Sequence, residues 1–287
     1  MRGMNNHVDL HMHSTASDGT LRPAEVVQLA KSRGLQTIAL TDHDTTDGLA
    51  EAIEAGQSFG VDVIVGLEIN SEDETIDAHF LCYGLDRSNG PLQDQLLAIR
   101  DARVGRAKGM IKKLAELGLP VEWERVLKYA GDAKSIARPH IARALVEAGF
   151  VASTQEAFDK YISDDGPAYV NRLRMTPQEV IDLAHAAGGV IVLGHPGHAG
   201  TTHLIPLLAQ LGLDGAEVYY ADHTDQMRAE ILSLAQQYNL IVTGGSDFHS
   251  PGDQSHAELG SVYVPDEVAL RLKERMVQRR HGSVKTL

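Results

Sequence analysis

Apolar and polar positions along this chain follow two alternating rhythms. Segments 23–34, 177–188 and 229–239 carry apolar side chains at helical spacing, such as Val26, Val27, Leu29 and Ala30, or Val180, Ile181, Leu183 and Ala184. Each is followed by a short, almost wholly apolar run: "TIAL" (37–40), "VIVL" (190–193) and "LIVT" (240–243). Pro23 and Pro177 suit a first helical position, where a missing N–H is not needed. Gly34 and Gly188 tolerate the left-handed conformation that ends a helix. Further short strands are expected at "VDVIVGLE" (61–68), "IDAHFLCY" (76–83) and "GAEVYY" (215–220). Helices alternating with apolar strands predict a parallel sheet buried on both faces, and about seven such units predict a closed or nearly closed α/β barrel. The chemistry of such barrels sits at the C-terminal ends of the strands.

The rhythm breaks between residues 86 and 175, where only helical periodicity is visible, as in "LQDQLLAIRDARVGRAKGMIKKLAELG" and "RPHIARALVEAG". Residues 1–85 and 176–287 are therefore expected to form the barrel, with 86–175 a helical insertion capping its mouth.

The composition is that of an ordinary globular protein: 287 residues, 43% hydrophobic and 23% charged. No run approaches a membrane span and the start, "MRGMNN", lacks the apolar region of a signal peptide, so a cytoplasmic location is expected. Cys82 is the single cysteine, so any metal site must use nitrogen and oxygen ligands. Aromatic residues are scarce at 5%, which argues against a base-stacking platform for single strands. The net charge is −13, but unevenly spread: residues 85–185 hold 15 Lys and Arg against 14 Asp and Glu, and the rest hold 11 against 25. An anionic substrate would find its cations in the middle of the chain.

Histidines and carboxylates gather where the strands are expected to end. "HVDLHMHSTASDG" (7–19) has two readings: a half-buried edge strand with a polar face, or a strand presenting His11 and His13 as metal ligands with Asp18 in the following loop. His43, Glu68, His79, His195, Asp247 and His249 complete a set of nine. A lone histidine is more often a hydrogen-bonded structural residue. Nine converging groups would repel one another in a shared cavity unless divalent cations removed that cost. Imidazole and carboxylate without thiolate suit Mn, Fe or Zn, and the ligand set alone does not choose among them.

These segments resemble the motifs of the PHP-domain family (polymerase and histidinol phosphatase). "DLHMHSTASDG" is similar to its opening motif and "LTDHDTTDGL" to the second. "GLEI" with His79, "GHPG" and "GSDFH" resemble the remaining three, and the likeness runs the length of the chain. "ARPHIARAL" resembles a branch of nucleoside 3′,5′-bisphosphate phosphatases, some of which also act as 5′-to-3′ exoribonucleases on short RNA. The resemblance implies a distorted TIM-like (β/α)7 barrel with a helical insertion, and two or three divalent ions, manganese foremost, with zinc or iron as alternatives. One ion would take His11, His13, Glu68 and Asp247, a second Glu68, His79 and His195, and a third Asp18, His43 and His249. Asp18 stands where other branches place a histidine, and His198 stands where this branch often carries Arg after H-P-G.

The chemistry implied is phosphate-ester hydrolysis, with Glu68, Asp247 and His249 at its centre. Clustered metals lower the pKa of a bridging water from about 16 toward 7, and the resulting hydroxide attacks phosphorus in line with the leaving alkoxide. No G-x-S-x-G nucleophile motif is present. Asp9 is a candidate to orient an imidazole from behind. Lys134, Arg138 and His140, near a helix start, and His198 are the expected substrate contacts, whereas Arg172 and Arg174 read as surface charges. The leading expectation is a phosphatase removing the 3′-phosphate of nucleoside 3′,5′-bisphosphates, with a phosphorylated small molecule, a nucleotide, as its partner and no obligate protein partner or membrane inferred. The alternatives are a 5′-to-3′ exoribonuclease on short 5′-phosphorylated RNA, a histidinol-phosphate phosphatase, and a non-catalytic metal-binding module.

Overall fold

The computed structural model describes residues 6–72, 77–130, 136–171 and 175–283. Among these, seven strands form one sheet in chain order: β1 (Val8–Asp9), β2 (Thr37–Leu40), β3 (Asp62–Glu72), β4 (Asp77–Tyr83), β5 (Val190–Leu193), β6 (Gly215–Tyr219) and β7 (Ile241–Gly244). The helices around them are α1 (Pro23–Ser32), α2 (Leu49–Phe59), α7 (Pro177–Ala186), α8 (Ile205–Leu211), α9 (Asp225–Gln237) and α10 (Asp266–Ser283). Between β4 and β5 come α3 (Gly90–Glu116), α4 (Trp123–Ala130), α5 (Arg138–Glu147) and α6 (Thr154–Ala157), then a π-helical turn at Phe158–Ile162.

The sheet curls until its two edges meet. The Leu10 amide donates to the Gly244 carbonyl at 3.0 Å, the Asp247 amide to His11 at 2.8 Å, and Met12 bridges Phe248. The result is the nearly closed barrel that the alternating pattern predicts. The local signals act as expected: Pro23 and Pro177 open their helices, and Thr176 and Glu179 cap α7 reciprocally. Gly34 and Gly188 take φ of 85° and 71°, the left-handed region.

The all-parallel sheet expected from the sequence is corrected at one strand. β4 runs antiparallel to both β3 and β5, while the other pairs are parallel. Four residues separate β3 from β4, and a parallel crossover needs a dozen or more. The reversal matters for the site. In an antiparallel strand the early residue His79, not the last, lies level with the C-terminal ends of its neighbours. The first strand is confined to Val8–Asp9, and beyond it the Leu10 and His13 amides bond to Gly244 at the end of β7 and to Phe248 in the loop after it.

Both faces of the barrel wall are covered. Leu10, Ile64, Leu81, Tyr83 and Val192 pack with Val264, Val268 and Leu272 of the C-terminal segment. Outside, α7, α8 and α9 cover β3–β6 through Ile181, Ala184, Ile205 and Ile231, and α1 and α2 cover β2 through Val26, Val27 and Ala52. Helix α3, 27 residues and about 40 Å long, joins two cores. Leu92, Leu96 and Ile99 at its start pack on the barrel. Ala107, Met110 and Leu114 at its end pack with Val126, Ile141, Leu145 and Ile162 in a separate cluster of the helical segment.

Candidate metal centre

All nine candidate ligands lie at one end of the barrel, delivered by six of its strands, β1, β2, β3, β4, β5 and β7, and the loops beside them. Glu68 is the hub. Its Oε2 lies 3.2 Å from His11 Nε2, 3.1 Å from His13 Nε2 and 3.4 Å from His43 Nδ1. Its Oε1 lies 2.6 Å from His79 Nδ1 and 3.6 Å from His195 Nε2. Asp247 Oδ1 is 3.2 Å from His11 Nε2 and 3.1 Å from His13 Nε2. Asp18 reaches a different side, with Oδ1 3.5 Å from His249 Nε2 and Oδ2 3.9 Å from His43 Nε2. Four overlapping groups result: His11, His13, Glu68 and Asp247; Glu68, His79 and His195; His13, Asp18, His43 and His249; and Asp247, His249 and His256. Within each, the candidate ligand atoms lie within 4.8 Å of one another.

This geometry suits cations better than a hydrogen-bond network. His13 Nδ1 and Nε2, His43 Nδ1, His79 Nδ1, His195 Nδ1 and Glu68 Oε1 are buried without a hydrogen-bond partner. Native interiors leave few polar atoms in that state, because each costs free energy. Several of these atoms are within ion-pair distance of their neighbours yet not aligned as donor and acceptor. Head-on convergence of nitrogen and oxygen lone pairs is what a divalent ion requires.

The charges tell the same story. Burial would push the Glu68, Asp247 and Asp18 carboxyls up, but the surrounding imidazoles outweigh it and hold all three well below the usual carboxylate range. Three carboxylate charges thus share one wall of the cavity. Burial pulls His43 down to about 3 and leaves it neutral, with a lone pair to offer. Burial works the same way on His13, but Asp247 and Glu68 overcome it and raise that ring to about 10.

The backbone is bent to aim these groups. Asp44, His195 and Asp247 have φ of 51°, 28° and 55°, positions that non-glycine residues seldom take and that cluster at functional sites. Gly245 must be glycine, since a Cβ there would lie 2.4 Å from the His11 amide nitrogen.

Several supporting residues had no signal strong enough to single them out beforehand. Glu217, fully buried on β6, accepts a 2.7 Å bond from the His195 amide and lies 3.2 Å from His11 Nδ1. Tyr220 Oη donates to Asp247 Oδ2 at 3.1 Å. Asp42 accepts from the Ser14 amide at 2.7 Å and from the Ser17 hydroxyl at 2.8 Å, fixing the loop that carries Asp18. The ring of His256 stacks on His249 at 4.0 Å, and its Nδ1 meets Asp253 at 3.0 Å. Asp9, expected behind an imidazole, instead accepts from the amides of Ser246 at 2.9 Å and Gly260 at 2.8 Å. That role belongs to Glu217.

The ligand cluster opens into a cavity of about 1250 Å³. The helical segment also lines it, with Arg103, Arg138 and Phe158 among its residues. Arg103 pairs with Asp44, tying α3 to the barrel. Arg138 lines the cavity with Nη1 bonded to Asp164 at 2.7 Å and to the Ile162 carbonyl at 3.3 Å. His198 also lines it, half exposed, 3.1 Å from Asp222. His140 does not line the cavity: it is 2% exposed, and its Nδ1 accepts the Ala137 amide at 3.1 Å, closing the start of α5. Lys134, Arg172 and Arg174 lie outside the described residues.

Comparison with known proteins places these features in context. Residues 9–163 match the PHP domain. A 3′,5′-nucleoside bisphosphate phosphatase from Chromobacterium violaceum is 34% identical over 86% of this chain and 88% of its own. The 5′-3′ exoribonuclease Rnm of Salmonella typhimurium is 32% identical over 85% of each chain. A solved structure assigned as a metal-dependent phosphoesterase, from Bifidobacterium adolescentis, superposes with a TM-score of 0.86 at 33% identity, covering 93% of this chain and 96% of that one.

Proposed function

This chain belongs to the PHP-domain family and is a metal-dependent phosphoric ester hydrolase, and from that premise we propose that it removes the 3′-phosphate of nucleoside 3′,5′-bisphosphates. The observation that carries the proposal is a single cavity lined both by the candidate ligands and by Arg103, Arg106, Arg138 and Arg143 of the helical segment. A substrate with two phosphates needs both sets of groups, one for the ester that breaks and one for the phosphate that stays. The 34% identity to a bisphosphate phosphatase over 86% of the chain supports the same reading.

In this reading His11, His13, Glu68 and Asp247 hold one divalent ion, Glu68, His79 and His195 a second, and Asp18, His43 and His249 a third. Manganese is our choice of metal, with zinc or iron as alternatives. Bound there, such ions would neutralise phosphate charge and lower the pKa of water toward neutrality, supplying a nucleophile without a serine or cysteine. The protein's own groups do the rest. Glu68 presents one oxygen to each of two ligand groups and fixes their spacing. Glu217 accepts only, so His11 must carry its proton on Nδ1 and turn the Nε2 lone pair toward Glu68 and Asp247. Tyr220 holds the second oxygen of Asp247. Burial of His11, His13, Glu68, His195 and Asp247 strengthens their charge interactions with the reacting phosphate.

The test is incubation of purified protein and Mn²⁺ with adenosine 3′,5′-bisphosphate. Equimolar AMP and phosphate support the proposal, and their absence with metal shown to be bound refutes it. The likeness to an exoribonuclease favours a second reading, trimming of short 5′-phosphorylated RNA, because only the leaving group changes. Mononucleotides released from the 5′ end of an oligomer would establish it. No described helix is long and apolar enough to cross a membrane. The proposal places the enzyme in the cytoplasm, with a nucleotide or short RNA as its partner.

A further inference from the structure

Asn70 lies on β3 two positions beyond Glu68, so both side chains leave the same face of the strand. Leu67 and Ile69 take the other face, in the core beneath the helices. The strand register sets Asn70 directly opposite His79 of β4. Asn70 also lines the cavity, as Glu68, His79 and His195 do. It therefore adjoins the group of Glu68, His79 and His195, with one member as its same-face neighbour and another as its cross-strand partner. Its side-chain oxygen, Oδ1, is sealed from solvent and accepts no hydrogen bond among the described residues. An amide oxygen in that state costs free energy, and water does not relieve an atom closed to solvent. Glu68 Oε1, His79 Nδ1 and His195 Nδ1 are buried without a hydrogen-bond partner in the same way. A phosphate dianion offers only acceptors and cannot satisfy Oδ1. A cation can.

We infer that Asn70 Oδ1 is a fourth protein ligand of the divalent ion held by Glu68, His79 and His195. The inference rests on the metal reading above. It fits the count of donors: His11, His13, Glu68 and Asp247 supply four residues to one ion, whereas Glu68, His79 and His195 supply three. Divalent ions of this class take at least four ligands, and amide carbonyl oxygens are ordinary donors to the harder ones. A neutral oxygen raises the count without adding charge. Glu68, Asp247 and Asp18 are already held as carboxylates around the cavity, and a further anion would oppose the incoming phosphate. A carbonyl oxygen also suits manganese better than the softer metals.

The experiment strips metal from wild type, Asn70→Ala and Asn70→Asp and titrates each with Mn²⁺ alone, counting bound ions by equilibrium dialysis. Urea denaturation of the stripped proteins runs beside it. In Asn70→Ala one ion binds about 10- to 100-fold more weakly and the others are unchanged. Asn70→Asp, which keeps an oxygen in place, binds at least as tightly as wild type. The stripped Asn70→Ala protein is as stable as stripped wild type, because Oδ1 has no partner to lose. A crystal structure of Mn²⁺-loaded wild type places Oδ1 about 2.2 Å from the ion at Glu68 and His79. Unchanged Mn²⁺ affinity in Asn70→Ala with lowered stability of the stripped protein would make Asn70 a structural residue and overturn the inference. An Oδ1 beyond about 3 Å from that ion overturns it even if the variants fail to fold. Wild type that binds no divalent ion overturns the metal reading itself, and the role of Asn70 with it.

Discussion

Glu217 Oε1 lies 3.2 Å from His11 Nδ1, and both side chains are fully buried. The pair fixes which nitrogen of His11 faces the ligand cluster. A glutamine at 217 would offer an N–H to the same ring and favour the opposite tautomer, with a proton where a metal should bind. Glu217→Gln is expected to weaken metal affinity by about 10- to 100-fold. Metal titration followed by calorimetry checks this, and unchanged affinity would remove Glu217 from the account.

The ion pair of Asp44 and Arg103 joins the barrel to α3 across 59 positions of sequence. Asp44 is 4% exposed, and removing its partner leaves a carboxylate that burial already pushes up. Arg103→Ala should therefore lower unfolding stability by about 3 kcal/mol. Urea denaturation measures it. A loss under 1 kcal/mol would mean that the pair is solvated and does not tie the two parts together.

Much of the site was legible because it is written in short motifs. "DLHMH", "TDHD", "GLE" and "GSDFH" each place candidate ligands within a few residues of a strand end, and all nine candidates lie in one cluster. What was not legible depends on distance. Nothing near Arg103 marks it as the partner of Asp44. Glu217 carries a signal in retrospect, a lone carboxylate inside the apolar run "GAEVYY", where burial demands a partner. The reversed β4 was readable too, since four residues cannot hold a crossover helix. His140 misled for the opposite reason. Its place beside Arg138 at a helix start suits a ligand contact, but the same place suits a side chain that caps the helix.

Burial holds His140 down at about 4, so the folded protein keeps that imidazole neutral while the unfolded chain protonates near 6.5. Proton uptake then favours unfolding. The contribution of His140 is full above pH 6.5 and is lost as pH falls toward 4, to a limit of about 3 kcal/mol. His140→Gln retains an acceptor for the Ala137 amide but does not titrate. Its stability should fall less than that of wild type between pH 6.5 and 4.5. Parallel curves for the two proteins would contradict this.

Ions that bind only the folded chain must raise its melting temperature. Titration with Mn²⁺ to about 100 times its dissociation constant should add about 2.7 kcal/mol per site. Glu68→Gln, which alters the oxygens shared by two ligand groups, should remove most of that increment. A melting temperature indifferent to divalent ions would argue against the cluster as a metal centre.

The most direct test of the whole account is phosphate release from adenosine 3′,5′-bisphosphate by Mn²⁺-loaded wild type and Asp247→Asn, with bound metal measured on the same samples. The account predicts one AMP and one phosphate per substrate for wild type, and loss of both turnover and bound metal in the variant. Wild type that holds its metal and leaves the bisphosphate intact, or an Asp247→Asn variant that turns over at the wild-type rate, would contradict it.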